Sequence, residues 1–308
     1  MAVVFALLAA VCNAVATILE RMGVETAPAD AELRWKLVAH VLRRPVWFFG
    51  LLAMMGAFLF QAAALDKGGL TVVQPLLVTE LLFLVVILRV WFGRPLGWRE
   101  LLGTVFTVTG LAVFLAMSDQ GGGDVTPSAL GWLLVIVASA GAIVVAVALT
   151  RFGSRPWRSA WFGAAAGVAF ALCAGFIKST TMLLSSVGPI HMFFHFQPWG
   201  IAVSGLAGLF LTQNAYHAGP ITASQATLLI VDPIGSILIG VGLFGDNLRG
   251  SGAALAVDAL ALLVMSTGLF VLCHSPLIVN TTSEDRLTRR SRPAGEPLSS
   301  SEAVTPSH

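Results

Sequence analysis

Residues 130–150 read LGWLLVIVASAGAIVVAVALT, and no charged side chain interrupts this run. About 20 predominantly apolar residues are enough for an α-helix to cross the hydrocarbon core of a bilayer. Runs of similar length and composition recur on both sides of this stretch, so we predict nine membrane-spanning helices. Their predicted bounds are 2–22, 46–65, 70–92, 99–117, 130–150, 159–185, 198–217, 222–244 and 252–273.

The composition of the whole chain agrees with a bilayer as the main solvent. Of its 308 residues, 56% are hydrophobic and 11% are charged, whereas soluble domains carry about 25% charged residues. Backbone groups in lipid must be satisfied internally, which leaves helix bundles or closed barrels. The long unbroken runs and the single Tyr favour helices over short alternating strands. The predicted fold class is therefore all-α, as a polytopic membrane protein.

Several function classes are excluded or disfavoured. The net charge of +2, with basic residues scattered in short loops, argues against a nucleic-acid partner. P-loop, zinc and dinucleotide motifs are absent, which argues against ATP-driven pumping by this chain alone. The sequence places no nucleophile–base set and no clustered metal site at one depth, so we predict no enzyme activity, no catalytic residue and no cofactor. His191 and His195 have the i, i+4 spacing of a helical metal site. No Glu follows the first histidine and the pair falls in a predicted loop, which favours interfacial histidines over a metal site.

The basic residues also predict an orientation, because cytoplasmic loops hold the excess of Lys and Arg. With nine spans, 15 of the 18 basic residues fall on one side of the membrane. We therefore predict a multi-pass protein of the cell membrane, with its N-terminus outside and its C-terminus in the cytoplasm. Residues 276–308 are rich in Ser, Thr, Pro and Arg, which predicts a disordered cytoplasmic tail after a membrane domain over 1–275.

The chain matches itself when it is shifted by 152 residues. Gln61 then falls on Gln213, Glu80 on Asp232, and Phe92-Gly93 on Phe244-Gly245. This match relates helices 1–4, at about 1–117, to helices 6–9, at about 159–273. Because the single linking helix at 130–150 reverses the direction of the second half, the pattern predicts an inverted repeat. Secondary transporters often have this architecture, with their binding sites near the membrane midplane.

Four segments carry a family resemblance. Residues 63–78 (AALDKGGLTVVQPLLV) and 92–103 (FGRPLGWRELLG) resemble the first half of EamA-like members of the drug/metabolite transporter superfamily. Residues 216–226 (YHAGPITASQA) and 243–248 (LFGDNL) resemble the second half. The resemblance implies solute transport by alternating access. Typical members have ten helices and a Gly-Glu pair where this chain has Gly93-Arg94 and Gly245-Asp246. The count of nine is closer to the NIPA-type magnesium transporters of the same superfamily.

Ionisable residues at membrane depth provide the candidate site. Glu80 lies near the middle of the third span and Asp232 near the middle of the eighth, each close to a proline. Such residues usually face the bundle interior or a water-filled cavity. Carboxylates suit a proton, a hard cation or the polar end of a substrate, although each acid could instead bond a neighbouring helix.

The remaining candidates are a lysine and three amides. Lys178 on the sixth span could pair with Asp258 at similar depth, bind an anion, or compete with a cationic substrate for an acid. Gln61, Gln213 and Asn214 could line the same cavity or bond neighbouring helices.

The leading hypothesis is a secondary active transporter of a small metabolite or drug-like solute, coupled to protons or another ion. A NIPA-like magnesium or divalent-cation transporter is the close alternative. A lipid-modifying intramembrane enzyme and a non-transporting assembly factor are further alternatives. The partners expected are the solute or ion and the bilayer, and whether the chain forms a homodimer stays open.

Overall fold

The computed structural model describes residues 1–25, 45–92, 97–117, 125–246 and 252–275. Within these ranges the chain is helical and has no β-strand. The helices are α1 (Ala2–Glu25), α2 (Pro45–Lys67), α3 (Leu70–Leu77), α4 (Glu80–Phe92), α5 (Trp98–Met117), α6 (Ala129–Leu149), α7 (Arg155–His191), α8 (Phe196–Ala218), α9 (Ile221–Ile239) and α10 (Gly252–Cys273), with a π-helical turn at Gly240–Phe244.

Among the described residues, eight helical stretches are long and apolar enough to cross a membrane. They coincide with eight of the nine predicted spans. The remaining span is α8, which is as long as α2 but includes several amide side chains. The predicted all-α class is confirmed, and the architecture is that of a multi-pass helical membrane protein. The predicted tail at 276–308 lies outside the described residues.

The third predicted span, 70–92, is broken into two helices. Helix α3 ends at Leu77 and α4 begins at Glu80. Between them the Leu76 carbonyl accepts hydrogen bonds from both the amide of Thr79, at 3.0 Å, and its hydroxyl, at 2.6 Å. Pro75 has no N–H to donate, which weakens the preceding turn. The helix is thus interrupted immediately before its one acid.

The helices pack in a small number of close pairs. Helix α1 packs on α2, α7 packs on α8 and on α9, and α5 packs on α10. Helix α3 contacts both α1 and α9, so the broken span joins the first part of the bundle to the second.

Large apolar side chains lie on the outside of the bundle and small ones lie between helices, as expected for a protein in lipid. On α8, Val203, Leu206 and Phe210 are about two-thirds exposed, whereas Ala165 and Ala166 of α7 are fully buried. Without a hydrophobic driving force between helices, small residues are needed to let backbones approach closely.

Small residues at Gly163–Gly167 on the sixth span form a face that packs closely on α9. Gly163 lies against Ser224 of α9, and Gly167 lies against Val231 and Asp232 of the same helix. The sequence pattern at Gly163–Gly167 therefore marks the contact that positions α9, which carries one of the two deep acids.

The contact between α5 and α10 gives a test of this packing. A Cβ on Gly110 would lie 2.5 Å from the amide nitrogen of Met265 and 2.6 Å from the carbonyl oxygen of Ala261. We expect Gly110→Ala to lower the free energy of unfolding by about 1–3 kcal/mol, the usual cost of overpacking. Unfolding by denaturing detergent in mixed micelles measures this change.

Gly141 of α6 is the matched control, because nothing lies within 4 Å of a Cβ placed there. Gly141→Ala should leave stability unchanged or raise it by about 0.5–1 kcal/mol. Equal effects at the two glycines would contradict the packing described for α5 and α10.

Candidate functional site

Glu80 and Asp232 occupy comparable positions in two helices of irregular geometry. Glu80 is the first residue of α4, directly after the break at residues 78–79. Asp232 lies in α9 next to Pro233, a proline inside that helix. Each acid is therefore placed where the regular helical hydrogen bonding is disturbed.

The structure brings these two sequence-predicted acids together. The Asp232 carboxyl lies close enough to Glu80 for their charges to interact. The Asn13 side chain of α1 hydrogen-bonds the Glu80 carboxyl, and Ser236 donates to Oδ1 of Asp232 at 3.3 Å. We call Asn13, Glu80, Asp232 and Ser236 the acid cluster. It draws on α1, α4 and α9, so no single helix could form it.

Cys173 of α7 borders the acid cluster. Its thiol is within electrostatic range of Asp232 and interacts with the Ser204 hydroxyl of α8. It is also 3.7 Å from the Ile201 carbonyl oxygen. Glu80, Asp232 and Cys173 are all half-buried. Helix α7 therefore contributes a small polar side chain to the wall beside the two acids.

Lys178 has a different partner from the one predicted. Its Nζ is 2.8 Å from Oδ1 of Asp246, and both side chains are almost completely buried. The expected pair with Asp258 is wrong, because the residues after the π-helical turn place the Asp246 carboxylate against Lys178 instead. Asp258 is buried on α10, and its carboxylate oxygens have no hydrogen-bond partner among the described residues.

The Asp246 carboxylate makes further bonds to the start of α3. Oδ2 accepts from the backbone N–H of Thr71 at 3.2 Å and from its hydroxyl at 3.3 Å. A helix N-terminus favours negative charge, because its first N–H groups have no partner within the helix. Asp246 is therefore held by an ammonium group, a helix N-terminus and a hydroxyl group.

Aromatic side chains cluster beside this ion pair. Trp132 stacks on Phe176, with ring centroids 4.6 Å apart, and Phe196 and Phe244 pack against them edge-on. The Lys178 ammonium lies 4.8 Å from the centroid of the Phe244 ring. We call Trp132, Phe176, Phe196 and Phe244 the aromatic cluster. It joins α6, α7, α8 and the π-helical turn around the buried lysine.

The three predicted amides are not brought together with the acids by any described contact. Gln61 is half-buried on α2, and Gln213 is exposed on α8. Asn214 donates to the Phe210 carbonyl of its own helix at 2.8 Å. Nearby, Gln225 of α9 donates to the Tyr216 hydroxyl at 2.7 Å.

The predicted interfacial histidines are both exposed. His191 ends α7, and His195 precedes α8. Within the described part of the chain, no group of three or more His, Cys, Asp or Glu side chains could hold a metal ion.

Sequence reasoning missed four residues that the structure places at the polar contacts. Asn13 and Ser236 bond the two acids, and Thr71 and Asp246 complete the environment of Lys178. The sequence signal for Asp246 was its place in Gly245-Asp246, where typical members of the resembled family have a Gly-Glu pair, and this signal suggested no partner. Contacts between residues far apart in the chain depend on how the helices pack, and periodicity does not reveal that.

The fold and its polar core define a multi-pass helical membrane protein with two deep carboxyl groups in one cluster. No family model matches the chain, and no solved structure matches it. The chain is similar to an uncharacterized protein of Corynebacterium glutamicum, with 24% identity over 275 residues. The match covers 89% of this chain and 95% of that protein.

Proposed function

We propose that the chain is a secondary transporter that moves a small metabolite or drug-like solute across the cytoplasmic membrane by alternating access. Coupling to a proton or another ion would occur at Glu80 and Asp232. The observation that carries this proposal is that two acids from distant parts of the chain lie within electrostatic range of each other inside an apolar bundle. Intramembrane acids of this kind mark ion and substrate pathways.

The geometry of the supporting helices favours the same function. Transporter sites are typically formed by discontinuous helices near the membrane midplane. Here the break between α3 and α4 directly precedes Glu80, and α9 carries Pro233 beside Asp232 before ending in a π-helical turn. Irregular backbone of this kind is tolerated within a membrane where it is buried in protein or lines a cavity.

An inverted repeat is part of the proposal, and local packing supports it. A Cβ placed on Gly56 of α2 would lie 3.7 Å from the Cys12 sulfur of α1. A Cβ placed on Gly205 of α8 would likewise lie 3.7 Å from the Cys173 sulfur of α7. The first two helices of each predicted half therefore meet through a cysteine–glycine contact.

The charge of the site favours a cationic species as the coupling ion. Lys178, the buried lysine of the described chain, is already paired with Asp246 at 2.8 Å. It therefore does not compensate Glu80 and Asp232, which are bonded by the neutral side chains of Asn13 and Ser236. A proton or a cation would supply the missing positive charge.

A divalent cation as cargo is a second candidate, supported by the same pair of acids. Magnesium is commonly bound by one or two carboxylates while it keeps several of its waters. The two carboxyl groups of the acid cluster could serve such a partly hydrated ion. This candidate predicts flux of Mg²⁺ itself, whereas the first predicts flux of an organic solute.

Transport by purified protein in liposomes distinguishes these functions. Imposed pH and potential gradients would be combined with a panel of radiolabelled metabolites, organic amines and Mg²⁺, with protein-free liposomes as the control. We expect gradient-driven accumulation of at least one solute class. Absence of flux for every class, together with chemical change in the liposome lipids, would instead favour an intramembrane enzyme.

The proposed orientation gives a separate prediction. Fusion of a fluorescent protein after residue 275 should yield a fluorescent product, because the C-terminus is expected in the cytoplasm. Alkaline phosphatase, which requires an oxidising compartment, should be inactive at that position but active when it is fused after residue 68. The opposite pair of results would reverse the proposed orientation of the whole bundle.

A further inference from the structure

We propose that Lys178, Asp246 and Thr71 form a gate that holds one end of the transport pathway closed and must separate when that end opens. This inference rests on the proposed transport function. We call these three residues the latch.

The latch joins elements from both predicted halves of the chain. Thr71 lies at the start of α3, Lys178 lies in α7, and Asp246 follows the π-helical turn after α9. Direct bonds of 2.8 to 3.3 Å connect these three points through the Asp246 carboxylate. The bonds from Thr71 to Asp246 cross between the halves, and the ion pair with Lys178, within the second half, holds the carboxylate in place to accept them. Relative movement of the two halves at this end would therefore have to break the Thr71–Asp246 bonds.

The backbone around the Asp246 carboxylate leaves no spare room. A Cβ on Gly69 would lie 2.6 Å from Oδ2, and a Cβ on Gly240 would lie 2.5 Å from the same atom. Gly245, with φ of 69°, reverses the chain so that the carboxylate can enter this space. The closed arrangement is thus closely fitted, as expected of a packed state that exchanges with a distinct alternative.

The aromatic cluster closes the same end of the bundle. Trp132 and Phe244 are almost completely buried, and the Phe244 ring lies directly beside Lys178. Separation of Asp246 from Thr71 would free the π-helical turn that carries Phe244. The aromatic packing around Lys178 would therefore loosen at the same time.

The latch residues lie on or next to the same membrane spans as Glu80, Asp232 and Cys173. Thr71 precedes Glu80 on the broken span, and nine residues at the usual helical rise separate them by about 14 Å along the helix axis. Lys178 follows Cys173 by little more than one turn of α7. Under the proposed orientation the latch is on the outer side of the acid cluster, so its closure separates Glu80 and Asp232 from the outside.

A buried ion pair is better suited to a contact that opens and closes than to a contact that is permanent. Replacing such a pair by apolar side chains is often neutral or stabilising, so stability alone does not require it. Two charges that can each be rehydrated allow a closed contact to be exchanged for an open one. Coupling between two such states typically changes an equilibrium by about 5- to 150-fold.

Cys173 provides a reporter, because it borders the acid cluster. In a Cys12→Ser/Cys273→Ser background, the rate of Cys173 modification by a membrane-impermeant, positively charged methanethiosulfonate would be measured in right-side-out and inside-out vesicles. Adding Lys178→Met and Asp246→Leu removes both charges of the latch together with the acceptor of the Thr71 bonds, and it leaves neither charge unpaired. We expect this change to raise the rate from the outside by about tenfold, with no rise from the inside.

The exposed pair Asp66–Lys67, at 2.7 Å, is the matched control at the end of α2. Asp66→Leu with Lys67→Met should leave the labelling rate as in the background. A latch variant that elutes as a folded protein but labels at the background rate from both sides would overturn the gate. So would an increase confined to the inside.

The two proposals fail in distinguishable ways. If the labelling rate rises but no solute is moved by the wild-type protein, the latch controls access and the transport function is wrong. If the wild-type protein transports but the labelling rate does not respond, the transport function stands and the gate is wrong.

Discussion

Neutralising either acid, as Glu80→Gln or Asp232→Asn, is expected to lower the initial rate of solute uptake by about 10- to 100-fold. This range corresponds to the ~1.5–3 kcal/mol of a hydrogen bond that involves a charged group. Neutralising both acids should lower the rate little further, because residues that act as one unit lose most of their effect when either is removed. Uptake into liposomes that contain equal amounts of each variant measures this.

Asp66→Asn is the matched control for that series, since it removes an acid from the end of α2 where the side chain is in contact with solvent. Its uptake rate should equal that of the wild type. Losses that multiply in the double variant would show that Glu80 and Asp232 act separately, and unchanged rates would remove both acids from the site.

Lys178→Met alone should lower the free energy of unfolding by about 3–5 kcal/mol, because it leaves the Asp246 carboxylate buried without its ammonium partner. Adding Asp246→Asn should restore most of this loss, since the amide can still accept from Thr71 and no charge is left unpaired. Unfolding in mixed micelles of mild and denaturing detergents measures both variants.

Thr71→Val is a milder comparison within the same contact. It removes one hydroxyl bond and keeps the backbone N–H bond to Asp246, so a loss of about 0.5–1.5 kcal/mol is expected. If Lys178→Met were no more destabilising than Thr71→Val, the ion pair would not be the main charge contact at this end of the bundle.

The fold could be predicted from the sequence largely because lipid imposes a simple rule on helix length. Uninterrupted apolar runs such as 130–150 correspond closely to helices such as α6. The break at residues 78–79 was not predicted as a helix end, because the apolar run continues through it. It arises from the local bonds of Thr79 to Leu76 together with Pro75.

Prediction of the site was less complete, for a different physical reason. A deep carboxyl group is costly in lipid, so Glu80 and Asp232 could be selected from the sequence alone. Their neighbours Asn13 and Ser236 are ordinary polar residues whose cost in a helix is small. The partner of Lys178 was predicted by depth alone, and depth favoured Asp258 because Asp246 follows the predicted end of the eighth span. Packing between helices decided that choice.

Gradient-driven uptake by the wild-type protein, compared with Glu80→Gln/Asp232→Asn in the same liposomes, tests whether the acid cluster couples transport to an ion gradient. We expect the wild type to accumulate its solute against a concentration gradient when an ion gradient is imposed. The double variant, reconstituted to the same density, should accumulate it about 10- to 100-fold more slowly. Equal accumulation by the two proteins would contradict the assignment of the acid cluster as the coupling site.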